Sequence, residues 1–167
     1  MKPMHSTLAA SVMALVALCA PLQSAFAQTA AELAGSWSLV SLSVAKSGSD
    51  VELLGPHPQG QLIFGNDGRY VLIVLSSDLP KLASGNRELG TAQENAALAR
   101  GNVAHFGTYS VDAAEHVIVF HIQKSTFPNW DADVQRRPFT LAGDRLTYIT
   151  PGAFGYGSSK VVWQRIK

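Results

Sequence analysis

The stretch Gln61-Leu-Ile-Phe-Gly-Asn-Asp-Gly-Arg-Tyr-Val-Leu-Ile-Val-Leu75 sets a short apolar run against a longer one across four residues of turn chemistry. Asn, Asp and Gly tolerate the positive φ that a tight reversal needs, so 61–64 and 69–75 are expected to pair as a β-hairpin. Working outward, the same pattern recurs. Residues 36–44 are β-rich around Trp37, Leu39, Val40 and Leu42, whereas 45–60, with Gly48, Gly55, Pro56 and Pro58, read as a loop. Runs 104–111 and 116–122 are joined by Asp112-Ala-Ala-Glu115, and runs 135–141 and 145–150 by Ala142-Gly-Asp144. Run 160–166 ends the series after the Gly-rich stretch 151–159. No internal repeat at a fixed period is visible. Eight strands with mostly hairpin-length links predict an all-β fold: an eight-stranded, up-and-down antiparallel β-barrel whose closure removes exposed edges.

One helix interrupts the strands. Thr91-Ala-Gln-Glu94 is a capping box, and 92–100, rich in Ala and Leu, is stopped by Gly101. It lies in the long connection between Ser76 and Ala104, which is expected to cross one end of the barrel and border its mouth.

The 167 residues are 47% hydrophobic and 15% charged, with one Cys, which excludes a disordered tail, a collagen or a disulfide scaffold. Within 1–27 the only formally charged side chain is Lys2, followed by the apolar run 8–21 and by Ala25-Phe-Ala27. That is the pattern of a signal peptide, and the run is shorter than the roughly 20 residues a membrane span requires. Residues 28–167 are then one domain, exported to a periplasm or outside the cell, with no stable membrane insertion once the signal is cleaved. Cys19 follows the bulky Leu18, where a lipoprotein site expects a small residue. Residues 28–167 contain no cysteine and need no disulfide. Setting Lys2 aside levels the 13 basic side chains with the 12 acidic ones, which argues against nucleic acid and anionic membranes as partners.

Two-fold alternation sorts the candidate site residues. Phe139 and Leu141 share a face with Gln135 and Arg137, so all four point inward if the apolar pair does. In 116–122 the better inward set is His116, Ile118, Phe120 and Ile122, leaving His121 outward, and a bulge near Gln123 would reverse His121. Run 69–75 is apolar on both faces, so alternation does not assign its inward side. His116 and His121 fall on opposite faces and no His-x-His pair occurs, so no metal site is expected. His121 is the candidate acid–base residue, with Arg137 beside it to stabilise an enolate or carboxylate. The alternative leaves His121 exposed and pairs Arg137 with Asp131 or Asp133. An Arg on the apolar face is costly without an anionic partner, which is either a protein carboxylate or the acidic head of a ligand. Tyr70, Tyr109, Trp130 and Tyr148 either fill the interior or wall a pocket, and Phe154-Gly-Tyr156 is a rim or a surface loop. Gly-x-Ser-x-Gly is absent, Asp131 and Asp133 read as solvated loop charges, and no Gly-rich stretch has a phosphate cradle's strand-to-helix context.

Gly35-Ser36-Trp37 at the start of the first strand, with Trp163-Gln-Arg165 in the last, resembles the lipocalins. The resemblance implies that Trp37 plugs one barrel end and that Arg165 packs across its ring. A closer likeness is to the bacterial and fungal lipocalin-like domain proteins. It rests on Gly35-Ser-Trp-Ser-Leu-Val-Ser41, Gly55-Pro-His-Pro-Gln-Gly60, Asp67-Gly68 and Phe106-Gly-Thr-Tyr109. Further on it rests on Phe127-Pro-Asn-Trp130, Gln135-Arg-Arg137, Gly143-Asp-Arg-Leu146 and Val162-Trp163. The fold implied is a compact barrel with an internal pocket; no shared reaction is implied. The resulting expectation is a barrel that binds a small apolar or weakly acidic molecule near Tyr109, His121, Trp130, Arg137 and Tyr148, without a cofactor. Two alternatives stay open: a cofactor-free isomerase or cyclase with His121 as base, and a loop-mediated interaction or inhibitor protein. Oligomeric state is left open.

Overall fold

The computed structural model describes residues 29–46, 49–152 and 157–167. The expected signal segment 1–27 and the rim 154–156 lie outside the described residues. A one-turn helix α1 (Ala30–Leu33) leads into β1 (Gly35–Lys46), followed by β2 (Ser49–Glu52), β3 (Gln59–Phe64) and β4 (Arg69–Leu75). After α2 (Ala92–Arg100) come β5 (Asn102–Asp112), β6 (Val117–Ser125), β7 (Val134–Ala142), β8 (Arg145–Thr150) and β9 (Ser159–Arg165). From β3 to β9 each strand pairs antiparallel with the next, β1 pairs with β3, and β9 returns to β1. The result is a closed eight-stranded antiparallel barrel with one added strand, β2.

That added strand is where 45–60 departs from a plain loop. β1 continues to Lys46, and β2 pairs back along it from Ser43↔Glu52 to Lys46↔Ser49. Glu52 Oε2 and Leu42 O extend the pairing, accepting from Leu42 N–H and Leu53 N–H at 3.1 Å each. All four β2 residues are exposed, so no apolar alternation marks the strand in the sequence.

Local chemistry sets the turns. In the β3–β4 hairpin Gly65 N–H donates to Arg69 O at 2.7 Å, and only Gly68 takes positive φ (+78°), a bulged three-residue connection. In α2 the Thr91 hydroxyl accepts from Glu94 N–H at 3.2 Å while the Glu94 carboxylate accepts from Thr91 N–H at 2.8 Å. The carboxylate also takes Ala83 N–H at 2.8 Å, and these backbone donors hold its pKa below the usual range. A register shift leaves Gln123 of β6 unpaired opposite Phe106–Gly107. A Cβ on Gly107 would stand 2.0 Å from His121 O, so only glycine lets β6 pass there.

The barrel's two ends differ. At one end Trp37 is fully buried, and its Nε1–H donates to Leu33 O at 2.9 Å. The Arg165 guanidinium lies 4.1 Å over the Trp37 ring and donates to Glu32 O in α1 and to Ala34 O just after it. The ring stack, together with α1, closes this end. Above it Phe64, Tyr70, Phe120 and Tyr148 fill the interior, with Phe120 4.7 Å from Tyr70 and 6.0 Å from Tyr148. The opposite end receives the connection from β4 to β5, the β6–β7 loop, the end of β8 and the start of β9. Helix α2 has no fully buried residue.

Arg165→Ala removes the ring stack and two carbonyl partners at once. The expected loss is about 2 kcal/mol of unfolding free energy in urea, with Arg165→Lys recovering only part because it lacks the planar fork.

Candidate functional site

Strand period, not loop chemistry, builds the site. On β7 the side chains of Arg136, Pro138 and Thr140 are exposed while those of Arg137 and Phe139 are buried. Arg137 is 3% exposed, at the heart of the barrel. Its Nη1–H donates to Tyr148 Oη at 3.2 Å, and its Nη2–H donates to Gln135 Oε1 at 2.7 Å and to His105 Nε2 at 3.3 Å. The guanidinium carbon lies 4.5 Å from the Phe120 ring centre and 5.1 Å from that of Tyr148.

No carboxylate answers this cation among the described residues. Asp131 is taken by Lys124 Nζ at 2.7 Å and Ser125 N–H at 2.9 Å. Asp133 accepts from Val134 N–H at 2.9 Å and Gln135 Nε2–H at 3.2 Å. The pairing of Arg137 with Asp131 or Asp133 weighed from the sequence is therefore corrected: both carboxylates sit in the β6–β7 loop and spend themselves there. Arg137 Nε–H has no partner, nor does the hydroxyl of Ser159, which is 1% exposed.

Proton bookkeeping makes the cluster rich in donors. A guanidinium only donates, so His105 Nε2 must present its lone pair and His105 Nδ1 carries the hydrogen. That hydrogen points to Tyr70 Oη at 2.8 Å. Burial first, and the Arg137 charge second, push the His105 pKa down to about 3, consistent with a neutral ring. Burial likewise raises the Tyr70 and Tyr148 hydroxyls, so both stay protonated near neutrality. The cluster thus holds one fixed cation, neutral neighbours and surplus N–H and O–H groups.

Beside it lies a cavity of about 20 Å³, walled by Arg137, His105, Tyr148, Thr150 and Ser159 on the polar side. Leu72, Val74, Val103 and Trp130 contribute to the apolar side. That volume holds roughly one water molecule. α2 supplies no residue to the cavity lining, and its capping network faces the surface.

The structure brings Trp130, Arg137 and Tyr148 to this cavity and keeps two expected residues away. Tyr109 packs at a tilt against Phe64, ring centres 4.5 Å apart, and its hydroxyl donates to Gly65 O at 3.1 Å and to Ala30 O at 3.3 Å, so it belongs to the closed end. His121 is exposed on the outer wall, opposite Thr108 and Val134. The bulge at Gln123 exists but falls after His121, so it cannot turn that side chain inward. Three residues of the cluster, His105, Tyr70 and Gln135, are absent from the site expected from the sequence. His105 shares its strand parity with the inward Tyr109, a signal that could have placed it inside. Among the described residues no group of three or more His, Cys, Asp or Glu is arranged to hold a metal.

A family model for the lipocalin-like domain matches residues 34–166, from the start of β1 to the end of β9. The chain belongs to the lipocalin-like domain family. The match spans every residue that lines the cavity of this lipocalin-like barrel. No curated protein matches the chain.

In the ligand-free lipocalin-like barrel, Arg137→Met replaces an uncompensated buried cation by an apolar chain of similar length. Urea unfolding is expected to show a variant at least as stable as the parent, by up to about 4 kcal/mol. A loss of about 3 kcal/mol would mark Arg137 as a structural strut instead.

Proposed function

We propose that this lipocalin-like barrel binds a small molecule whose anionic or carbonyl oxygen is held by Arg137. The observation that carries the reading is a guanidinium 3% exposed with no carboxylate partner among the described residues and with Nε–H unpaired. Desolvating a cation costs several kcal/mol, and two aromatic faces return only about 1–4 kcal/mol. An anionic ligand oxygen supplies the missing charge, or a carbonyl oxygen the missing acceptor, and Leu72, Val74, Val103 and Trp130 supply apolar contact. The signal-like segment 1–27 supports an exported protein that meets its ligand in a periplasm or outside the cell.

Binding is favoured over the isomerase or cyclase reading. With His121 on the outer wall, the nearest imidazole to Arg137 is His105, whose pKa of about 3 makes it a poor base. A second reading, an interaction protein, draws on the outer wall: Ile63, Val71 and Phe106 are successive cross-strand partners and all are exposed.

Native mass spectrometry of the protein from its own host, followed by denaturing release, separates the two. The expected result is a stoichiometric small molecule carrying an ionised or carbonyl oxygen, absent from Arg137→Met. A molecule retained equally by Arg137→Met, or a protein partner in place of any small molecule, would overturn the binding role of Arg137.

A further inference from the structure

A cavity of about 20 Å³ admits no organic ligand as it stands, so one wall must move. Every lining residue but one stands on a barrel strand, held by ladder hydrogen bonds to its neighbours. The exception is Trp130, at the end of the single 3₁₀ turn Pro128–Trp130 in the β6–β7 loop. Its indole stands edge-on to the His105 imidazole, with ring centres 6.1 Å apart and planes at 83°, and against Phe127 at 5.5 Å and 86°. The turn is tethered through Asp131, while Ala132, just after it, takes φ +61°, a conformation costly for any residue with a Cβ. Ring contacts hold the indole, and a strained backbone position follows it. His105 is the shared neighbour: Trp130 packs on its ring, and Arg137 donates to its Nε2 at 3.3 Å.

We infer that the Trp130 indole occupies the place of the ligand's own ring, and that the ligand class is a planar aromatic carboxylate. The ring takes over the ring contact on His105 as Trp130 swings out, and the carboxylate reaches Arg137 and the free Ser159 hydroxyl. The inference rests on the Arg137 reading above and adds to it the shape of the body and the identity of the moving wall. A carboxylate suits the donor surplus because, when ionised, it only accepts. A flat ring suits the slot because an indole already fits it.

Benzoate is the probe, with cyclohexanecarboxylate and benzamide as controls, on the full chain. The protein has three tryptophans, and Trp37 and Trp163 are both fully buried, so acrylamide quenching reads Trp130. Benzoate is expected to raise acrylamide quenching of the unmutated protein, with little effect from either control. By calorimetry Trp130→Ala, which has no plug to displace, is expected to bind benzoate about tenfold more tightly than the parent. Arg137→Met should abolish binding in both backgrounds. Weaker or unchanged binding by Trp130→Ala, still dependent on Arg137, overturns the stand-in role and leaves the Arg137 reading intact. Equal binding of cyclohexanecarboxylate overturns the planar class alone. Benzoate binding that survives Arg137→Met sinks the Arg137 reading itself, and no benzoate binding by any form overturns the inference drawn here. Should Trp130→Ala fail to fold, the quenching measurement on the unmutated protein decides.

Discussion

Arg137 lies over the rings of Phe120 and Tyr148, with hydrogen bonds to three neutral side chains and no acid within reach among the described residues. This uncompensated charge governs the chemistry around it. It fixes the His105 tautomer, helps hold that imidazole neutral, and orients Tyr148 and Gln135. Because its hydrogen-bond partners are neutral and both Arg137 Nε–H and the Ser159 hydroxyl stay unpaired, the site is cationic and short of acceptors. Ordinary packing has no need of such an arrangement: replacing a buried charge by an apolar chain of similar volume is often neutral or stabilising. Arg137 is the one formally charged side chain among the buried polar residues described, the others being Ser43, His105, Thr150 and Ser159.

A second arginine in the same fold provides the contrast. Arg165 also lies over an aromatic ring, Trp37, but it is spent on the carbonyls of Glu32 and Ala34 and has Asp144 at 3.6 Å. Its neighbours are acceptors, and it closes one end of the barrel. Arg137 also donates to acceptors, Tyr148 Oη, Gln135 Oε1 and His105 Nε2, but it has no carboxylate partner among the described residues and lies beside a small cavity toward the other end. The two residues share a chemistry and differ in what surrounds them, and that difference separates a structural closure from the site proposed to bind.

Much of the barrel was legible because period two and turn chemistry are local signals. The 61–75 hairpin, the capping box at Thr91 and the 145–150 strand can be read directly, and alternation between Arg136 and Phe139 turns Arg137 inward. The short strand β2 was hidden because its four residues are exposed and lie between glycines and prolines. The site was harder. Tyr109 and Tyr148 both point inward, yet only the register along the barrel axis sends one to the closed end and the other to the cavity. His105 gives no apolar signal for the inward face, and only its parity with Tyr109 across the motif Phe106-Gly-Thr-Tyr109 marks it as buried. Whether Arg137 had an acid was likewise beyond reach, since the partners of Asp131 and Asp133 are set by a loop conformation that no pattern encodes.

The hydrogen-bond state of the Arg137 Nε–Hε group is accessible to side-chain nitrogen-15 NMR, assigned by its loss in Arg137→Met. In the ligand-free protein the proton is expected to resonate as an unpaired guanidinium group. On adding the molecule released from host-purified protein, it should move downfield and become protected from exchange. A resonance already downfield and protected before any ligand is added, and unmoved afterwards, would mean that the cation is satisfied within the protein, contradicting the central claim.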